Sequence, residues 1–161
     1  MPSAPLFDRS KVDPSRVVAD LEEIRKSNPQ RFELEQLTRI AYVDDAAGEA
    51  AGVLEIPADP WWGRGHVPGR PLMPGVLMLE AAAQLCSYAI RRAYDPAEYV
   101  GRFFGFGGID DVKFRGVIVP RDVLVILGKR VELRPRRAIY DTQGWVGDRM
   151  CFEAKITGMW V

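Results

Sequence analysis

The chain has 161 residues, 47% of them apolar, which is enough to bury one good core and suggests a single domain. Its 22 Lys/Arg and 22 Asp/Glu cancel to a formal net charge of zero, which argues against a dedicated nucleic-acid binder. The first thirty residues lack a continuous apolar run, and the longest apolar stretch is broken by Glu80 and Gln84. Neither a signal peptide nor a membrane span is therefore expected.

Residues 1–12 read as a flexible N-terminal tail, and 13–161 as the domain. Asp13-Pro14 offers a cap followed by proline at the first helical position, and Val17, Leu21 and Ile24 form one apolar stripe. This pattern predicts an amphipathic helix over 14–27, closed by Asn28-Pro29. From Phe32 onward the texture is strand-like. Thr38–Val43, Gly52–Ile56, Gly101–Phe106, Val112–Phe114, Val123–Leu127, Val131–Leu133, Ala138–Trp145 and Cys151–Trp160 are rich in β-branched and aromatic residues, and turn residues punctuate them.

The segment Gly75–Arg92 differs. It opens on Pro74-Gly75 and is built from the helix formers Met, Leu and Ala. Short of Tyr88 its only polar side chains are Glu80, Gln84 and Ser87, and Arg91 follows, spaced i, i+4, i+7 and i+11, one thin stripe on an otherwise apolar cylinder. Such a helix must be buried on nearly all sides. One long buried helix among many antiparallel strands predicts an α+β fold, a curved antiparallel sheet wrapped around a central helix. The glycine-rich run 101–108 has no helix pattern after it, so it reads as a strand pressed close to a ligand or helix rather than as a phosphate loop. Cys86 and Cys151 lie far apart in apolar surroundings and read as reduced core residues of a cytoplasmic protein. One histidine and no clustered cysteines leave no plausible metal site, and no nucleotide fingerprint is present.

The single histidine, His66, sits in a stiff loop of prolines and glycines that runs directly into this helix, where Glu80 is the lone carboxylate. A base on a rigid loop and an acid on a buried helix can carry out proton transfer. Read blandly, a lone histidine is structural or exposed and Glu80 is the wet side of a helix. The Pro-Gly spacing around His66 and the apolar neighbours of Glu80 favour chemistry. Charge is also unevenly spread: residues 1–60 are acidic in balance. The stretch 113–137 carries Lys113, Arg115, Arg121, Lys129, Arg130, Arg134, Arg136 and Arg137 against Asp122 and Glu132. It could attract an acidic partner, or it could be the wet face of strands.

The run His66-Val67-Pro68-Gly69-Arg70-Pro71-Leu72-Met73-Pro74-Gly75-Val76-Leu77-Met78-Leu79-Glu80-Ala81-Ala82-Ala83-Gln84 resembles the active-site signature of the β-hydroxyacyl-acyl-carrier-protein dehydratases of fatty-acid synthesis, which have the hot-dog fold. Leu21-Glu22-Glu23-Ile24-Arg25-Lys26 and Arg31-Phe32 resemble that family's N-terminal helix and first strand. Gly108-Ile109-Asp110-Asp111-Val112-Lys113-Phe114-Arg115 and Val119-Pro120-Arg121-Asp122 resemble its middle strands. The resemblance implies dehydration of a (3R)-hydroxyacyl thioester to the trans-2-enoyl thioester. His66 would be the base and Glu80 the acid for the leaving hydroxyl. Gln84 would orient the carboxyl, and the Gly75 N–H would polarise the thioester carbonyl. It implies no cofactor beyond the phosphopantetheine on which an acyl carrier protein delivers substrate. It also implies a homodimer at minimum, or a trimer of dimers, with His66 and Glu80 of one site from different subunits. Arg64, Arg70, Lys113, Arg115 and Arg121 are the candidate contacts for substrate or carrier. The chain departs from the family in having Val67 where phenylalanine usually follows the histidine. It has Trp61-Trp62 ahead of an intervening Gly63-Arg64-Gly65, and Glu80 where the isomerising branch carries aspartate. The alternatives are a hot-dog hydratase or thioesterase acting on acyl-CoA, and a non-catalytic acyl-binding paralogue.

Overall fold

The computed structural model describes residues 4–161. Two α-helices, α1 (Leu21–Ser27) and α2 (Gly75–Arg91), combine with β1 (Arg39–Asp44), β2 (Glu49–Glu55), β3 (Phe104–Phe114), β4 (Val123–Arg134), β5 (Arg137–Val146) and β6 (Arg149–Trp160). The strands form one six-stranded sheet in the order β1-β2-β4-β5-β6-β3. Every pairing is antiparallel. The sheet curves around α2. Bulges in β1, β3, β4 and β6 supply local bends, each adding a residue that the neighbouring strand does not match.

α2 sits deep because its faces are apolar and because the sheet opposite it is thinned. Leu85 is fully buried, and it reaches towards two glycines. A Cβ at Gly52 would stand 3.3 Å from one of its methyls, and a Cβ at Gly128 would stand 3.5 Å from the other. Leu77, Met78, Ala81, Ala82, Ile90, Ile126, Tyr140, Phe152 and Ile156 complete one contiguous core between helix and sheet.

Two expectations are corrected. The helix predicted over 14–27 begins only after Asp20, whose side chain accepts from the Glu23 N–H at 2.9 Å. Asp13 instead closes a local turn by accepting from the N–H and hydroxyl of Ser15. The β-branched pair Val17-Val18 then leads into an extended stretch, with Ala19 bridged to Ile40 of β1. Arg31-Phe32 is likewise not strand: Phe32–Leu34 is a 3-10 turn, entered with Phe32 at φ 57°. Residues 4–12 form a strap across the outer face of the sheet, while residues 1–3 lie outside the described ones. Phe7 is buried in a second cluster with Ala51, Leu127, Trp145 and Met150. Gln143 clamps the strap, accepting from the Leu6 N–H at 3.1 Å and donating to the Ala4 carbonyl at 2.9 Å. The Arg9 guanidinium lies 4.3 Å from the Trp145 ring centre.

An ion cluster ties the strap to the sheet. Glu49 is 6% exposed and meets Lys129 at 2.7 Å and Lys11 at 3.3 Å. Burial alone would raise its pKa, but the hydrogen bonds and charges of the two lysines outweigh burial and hold it below the ordinary 4.5. A carboxylate held below its unfolded-state value contributes stability that is present above that value and lost as pH falls through the folded one. Glu49→Gln should therefore lower stability at pH 7 by roughly 1 kcal/mol. It should also flatten the acid limb of the stability curve below about pH 4.5, as measured by urea unfolding across pH.

Candidate active site

The loop that carries His66 is built from consecutive turns on a buried anchor. Trp62 is 5% exposed, and the His66 N–H donates to its carbonyl at 3.0 Å. Val67-Pro68-Gly69-Arg70 closes a turn with Gly69 at φ 80°, the left-handed position that glycine takes without strain, and the Arg70 N–H reaches the Val67 carbonyl at 3.0 Å. Met73 then locks the loop to the β3–β4 connection through its N–H to the Ile118 carbonyl at 2.8 Å.

This framework fixes the tautomer of His66. Its Nδ1 lies 2.9 Å from the Leu72 carbonyl oxygen. A carbonyl can only accept, so Nδ1 carries the hydrogen and Nε2 keeps its lone pair. The ring is exposed, with the free nitrogen available as a base.

Glu80 lies in the second turn of α2 and is half-buried. Gln84, one turn later and 3% exposed, donates to Glu80 Oε1 at 2.8 Å and to the Leu34 carbonyl at 2.6 Å. Its own Oε1 accepts from the Gln36 N–H at 2.9 Å, and Asn28 Nδ2 donates to its main-chain carbonyl at 2.9 Å. The i, i+4 spacing pointed to the Glu80–Gln84 contact. The sequence reading missed that the segment 28–36 locks Gln84 in place, a tertiary arrangement with no local signal.

Gly75 opens α2, where first-turn N–H groups lack intrahelical acceptors. A Cβ here would come within 2.8 Å of the Phe114 ring, so a larger residue would have to move that ring. Glu80 also faces a cavity of about 130 Å³ between α2 and the paired ends of β3 and β6, walled by Ala83, Phe104, Ile156 and Gly158 among others. His66 does not line this cavity, and no hydrogen bond joins it to Glu80. Within a single chain the two groups are each held in a fixed setting and share neither this cavity nor a hydrogen bond.

The basic set divides. Arg64, Arg70 and Arg121 are exposed, with no side-chain ion pair among the described residues. Arg121 sits at φ 73°, with its N–H bonded to the Ile56 carbonyl. Lys113, at 3.6 Å, and Arg115 both pair with Glu153. Lys113 and Glu153 line a groove on the strap side of the sheet, opposite α2. Among the described residues no helix is long and apolar enough to cross a membrane.

The family model described as a FabA-like domain matches residues 28–155. The chain belongs to this FabA-like family. Among its relatives, the 3-hydroxyacyl-[acyl-carrier-protein] dehydratase FabZ of Moorella thermoacetica is 34% identical over 128 residues, covering 80% of this chain and 87% of that protein. The enzyme of the same name from Natranaerobius thermophilus is 36% identical over 141 residues, covering 86% and 94%. Among solved structures, the dehydratase heterocomplex ApeI:P from Xenorhabdus doucetiae superposes with a TM-score of 0.72 at 11% identity, covering 86% of this chain and 90% of that one. A thioesterase mutant from Pseudomonas aeruginosa gives 0.64 at 15% identity, covering 92% and 99%. These structural likenesses establish the hot-dog fold of this FabA-like chain.

The geometry at Leu72 makes a direct prediction. Long-range ¹⁵N–¹H correlation spectra of the imidazole should show the neutral ring protonated at Nδ1. A ring protonated at Nε2 would leave no basic nitrogen facing outward and would remove His66 from the chemistry.

Proposed function

We propose that this FabA-like chain dehydrates (3R)-hydroxyacyl thioesters carried on acyl carrier protein to the trans-2-enoyl thioester, in fatty-acid or related biosynthesis. The observation that carries this reading is the pairing of an oriented base with an oriented acid. Leu72 leaves His66 Nε2 free, and Gln84 holds one oxygen of Glu80 while leaving the other for substrate. The names borne by the FabZ relatives support the substrate class.

The reaction follows from these settings. Nε2 of His66 removes a proton from C2 of the acyl chain. The freed electron pair forms the C2–C3 double bond as the C3–O bond breaks, and the Glu80 carboxyl gives its proton to the departing hydroxyl, which leaves as water. The N–H of Gly75, at the positive end of α2, polarises the thioester carbonyl as negative charge develops on its oxygen. The chain's own residues perform every step, so no cofactor is needed beyond the phosphopantetheine arm of the carrier.

The site is completed by a second copy. β3 is an edge strand with Phe106, Ile109, Val112 and Phe114 exposed, an apolar and unpaired edge that calls for a cover. Its Phe104–Phe106 end walls the Glu80 cavity, and its Phe114 end lies against Gly75 where the His66 loop arrives. Antiparallel pairing of β3 with the β3 of a partner would lay one end over the other. Each His66 loop would then stand against the other copy's Glu80. Arg64, Arg70 and Arg121 are the unpaired cations left to attract the acidic carrier, whereas Lys113 and Arg115 are occupied by Glu153. The buried free thiols of Cys86 and Cys151 suit a cytoplasmic location.

Turnover of hydroxyacyl-carrier-protein, followed by mass spectrometry, tests the assignment. His66→Ala and Glu80→Gln should each reduce dehydration by about 10²–10⁴-fold without unfolding the chain. Near-native turnover in either variant would overturn the mechanism. Mixing the two inactive variants under conditions of subunit exchange should restore activity, because each heterodimer holds one complete site. No recovery despite proven exchange would require both groups to come from one chain. Arg64→Glu with Arg70→Glu should raise KM for the carrier-bound substrate and leave kcat nearly unchanged, with little effect on a short pantetheine thioester. Equal losses on both substrates would place these arginines in the site itself.

A further inference from the structure

The mechanism uses Glu80 and leaves Gln30, Ser87 and Thr157 of the same cavity without a role, and two of these carry buried oxygens with no partner. Ser87 continues the polar stripe of α2 beyond Gln84 and is 5% exposed. Its Oγ has no hydrogen-bond partner, and neither has Oε1 of Gln30. Both residues line the cavity into which Glu80 faces. The other buried atoms in this condition, on Asn28, Trp145 and Trp160, belong to residues that do not line it. Buried polar groups in folded proteins are overwhelmingly paired, so two orphans on residues that wall one cavity point to a guest that supplies their partners.

Size and spacing narrow the guest. A cavity of about 130 Å³ is close to one of ~150 Å³ that holds benzene, so it accepts a tail on the order of six heavy atoms. Seven residues of helix separate Ser87 from Glu80, roughly 10 Å along the axis at the helical rise. The reacting carbon beside Glu80 would thus lie at one end of the tail and Ser87 at the other. The walls between are Ala83, Phe104, Ile156 and Gly158, all suited to methylenes. A plain alkyl end would leave the oxygens of Ser87 and Gln30 as unpaired as they are in the free chain. A hydroxyl end can accept from the Ser87 O–H and donate to the Gln30 amide oxygen.

We infer that this cavity selects short 3-hydroxyacyl chains that carry a second hydroxyl at their far end, and that Ser87 and Gln30 are the specificity-determining residues. The inference rests on the dehydratase reading for the identity of the chain's reacting end. The test uses a matched pair of pantetheine thioesters, 3-hydroxyoctanoyl and 3,8-dihydroxyoctanoyl, with the intact protein. Binding of the corresponding non-reactive thioethers is measured by calorimetry alongside turnover.

The wild type should favour the 8-hydroxy member by on the order of tenfold in both kcat/KM and Kd. Ser87→Ala, which keeps a strong helix former in α2, and Gln30→Leu should each cut that preference to within about threefold. Equal handling of the pair by the wild type would overturn the inference, because it would mean that a retained water satisfies both groups. A preference that survives both variants would overturn it as well, since other residues would then read the hydroxyl. If neither thioester turns over but the binding preference appears and vanishes in the variants, the cavity inference stands and the dehydratase reading falls.

Discussion

The hydrogen-bond set of Gln84 is the constraint on which the catalytic end of α2 depends. An amide buried on an otherwise apolar helix is tolerable only when its donors and acceptor are used. Gln84 meets that demand by bonding three partners: the Leu34 carbonyl, the Gln36 N–H and the Glu80 carboxylate. The same contacts that satisfy Gln84 fasten the segment before β1 across the helix, and they fix the direction in which Glu80 points. Replacing Gln84 by an apolar residue would orphan the Gln36 N–H and the Leu34 carbonyl, at about 1–3 kcal/mol for each buried group. Structural and chemical roles are therefore inseparable at this residue.

α2 was legible in the sequence for the same reason that it is central. Its apolar circumference reports burial on all sides, and its thin polar stripe reports the one line along which other groups are needed. The strands were legible as β-branched and aromatic runs, although bulges joined pairs that the sequence pattern separated, such as 101–106 with 112–114 in β3. The start of α1 was not legible. Asp13 and Asp20 are both competent caps, and the choice between them was made by Ala19 bridging to Ile40, a contact with distant chain. The strap was invisible for a similar reason. Phe7 has no local partner, and the surface that buries it is assembled from Ala51, Leu127, Trp145 and Met150.

The basic residues show the limit of reading charge from composition. Lys113, Arg115 and Arg121 lie close in sequence and read as one patch. In the sheet, Lys113 stands opposite Glu153 in the β3–β6 register, and Arg115 joins the same carboxylate. Arg121, past the end of β3, keeps its charge free. Strand register, which periodicity does not specify, decides whether a cation is spent inside the fold or left for a partner.

The polar stripe of α2 allots a different partner to each of its members. Gln84 is consumed within the chain, and Arg91 at the far end donates to the Arg102 carbonyl at 3.1 Å. Glu80 is half satisfied, with one oxygen held by Gln84, and Ser87 is not satisfied at all. A helix buried this completely keeps a polar side chain only against the cost of desolvating it. Gln84 and Arg91 offset that cost with internal bonds. Glu80 does so only in part and Ser87 not at all, and both residues line the same cavity. The deficit in hydrogen bonding along α2 is thus confined to the wall where an acyl chain would lie, which is the pattern expected when the missing partners arrive with the substrate.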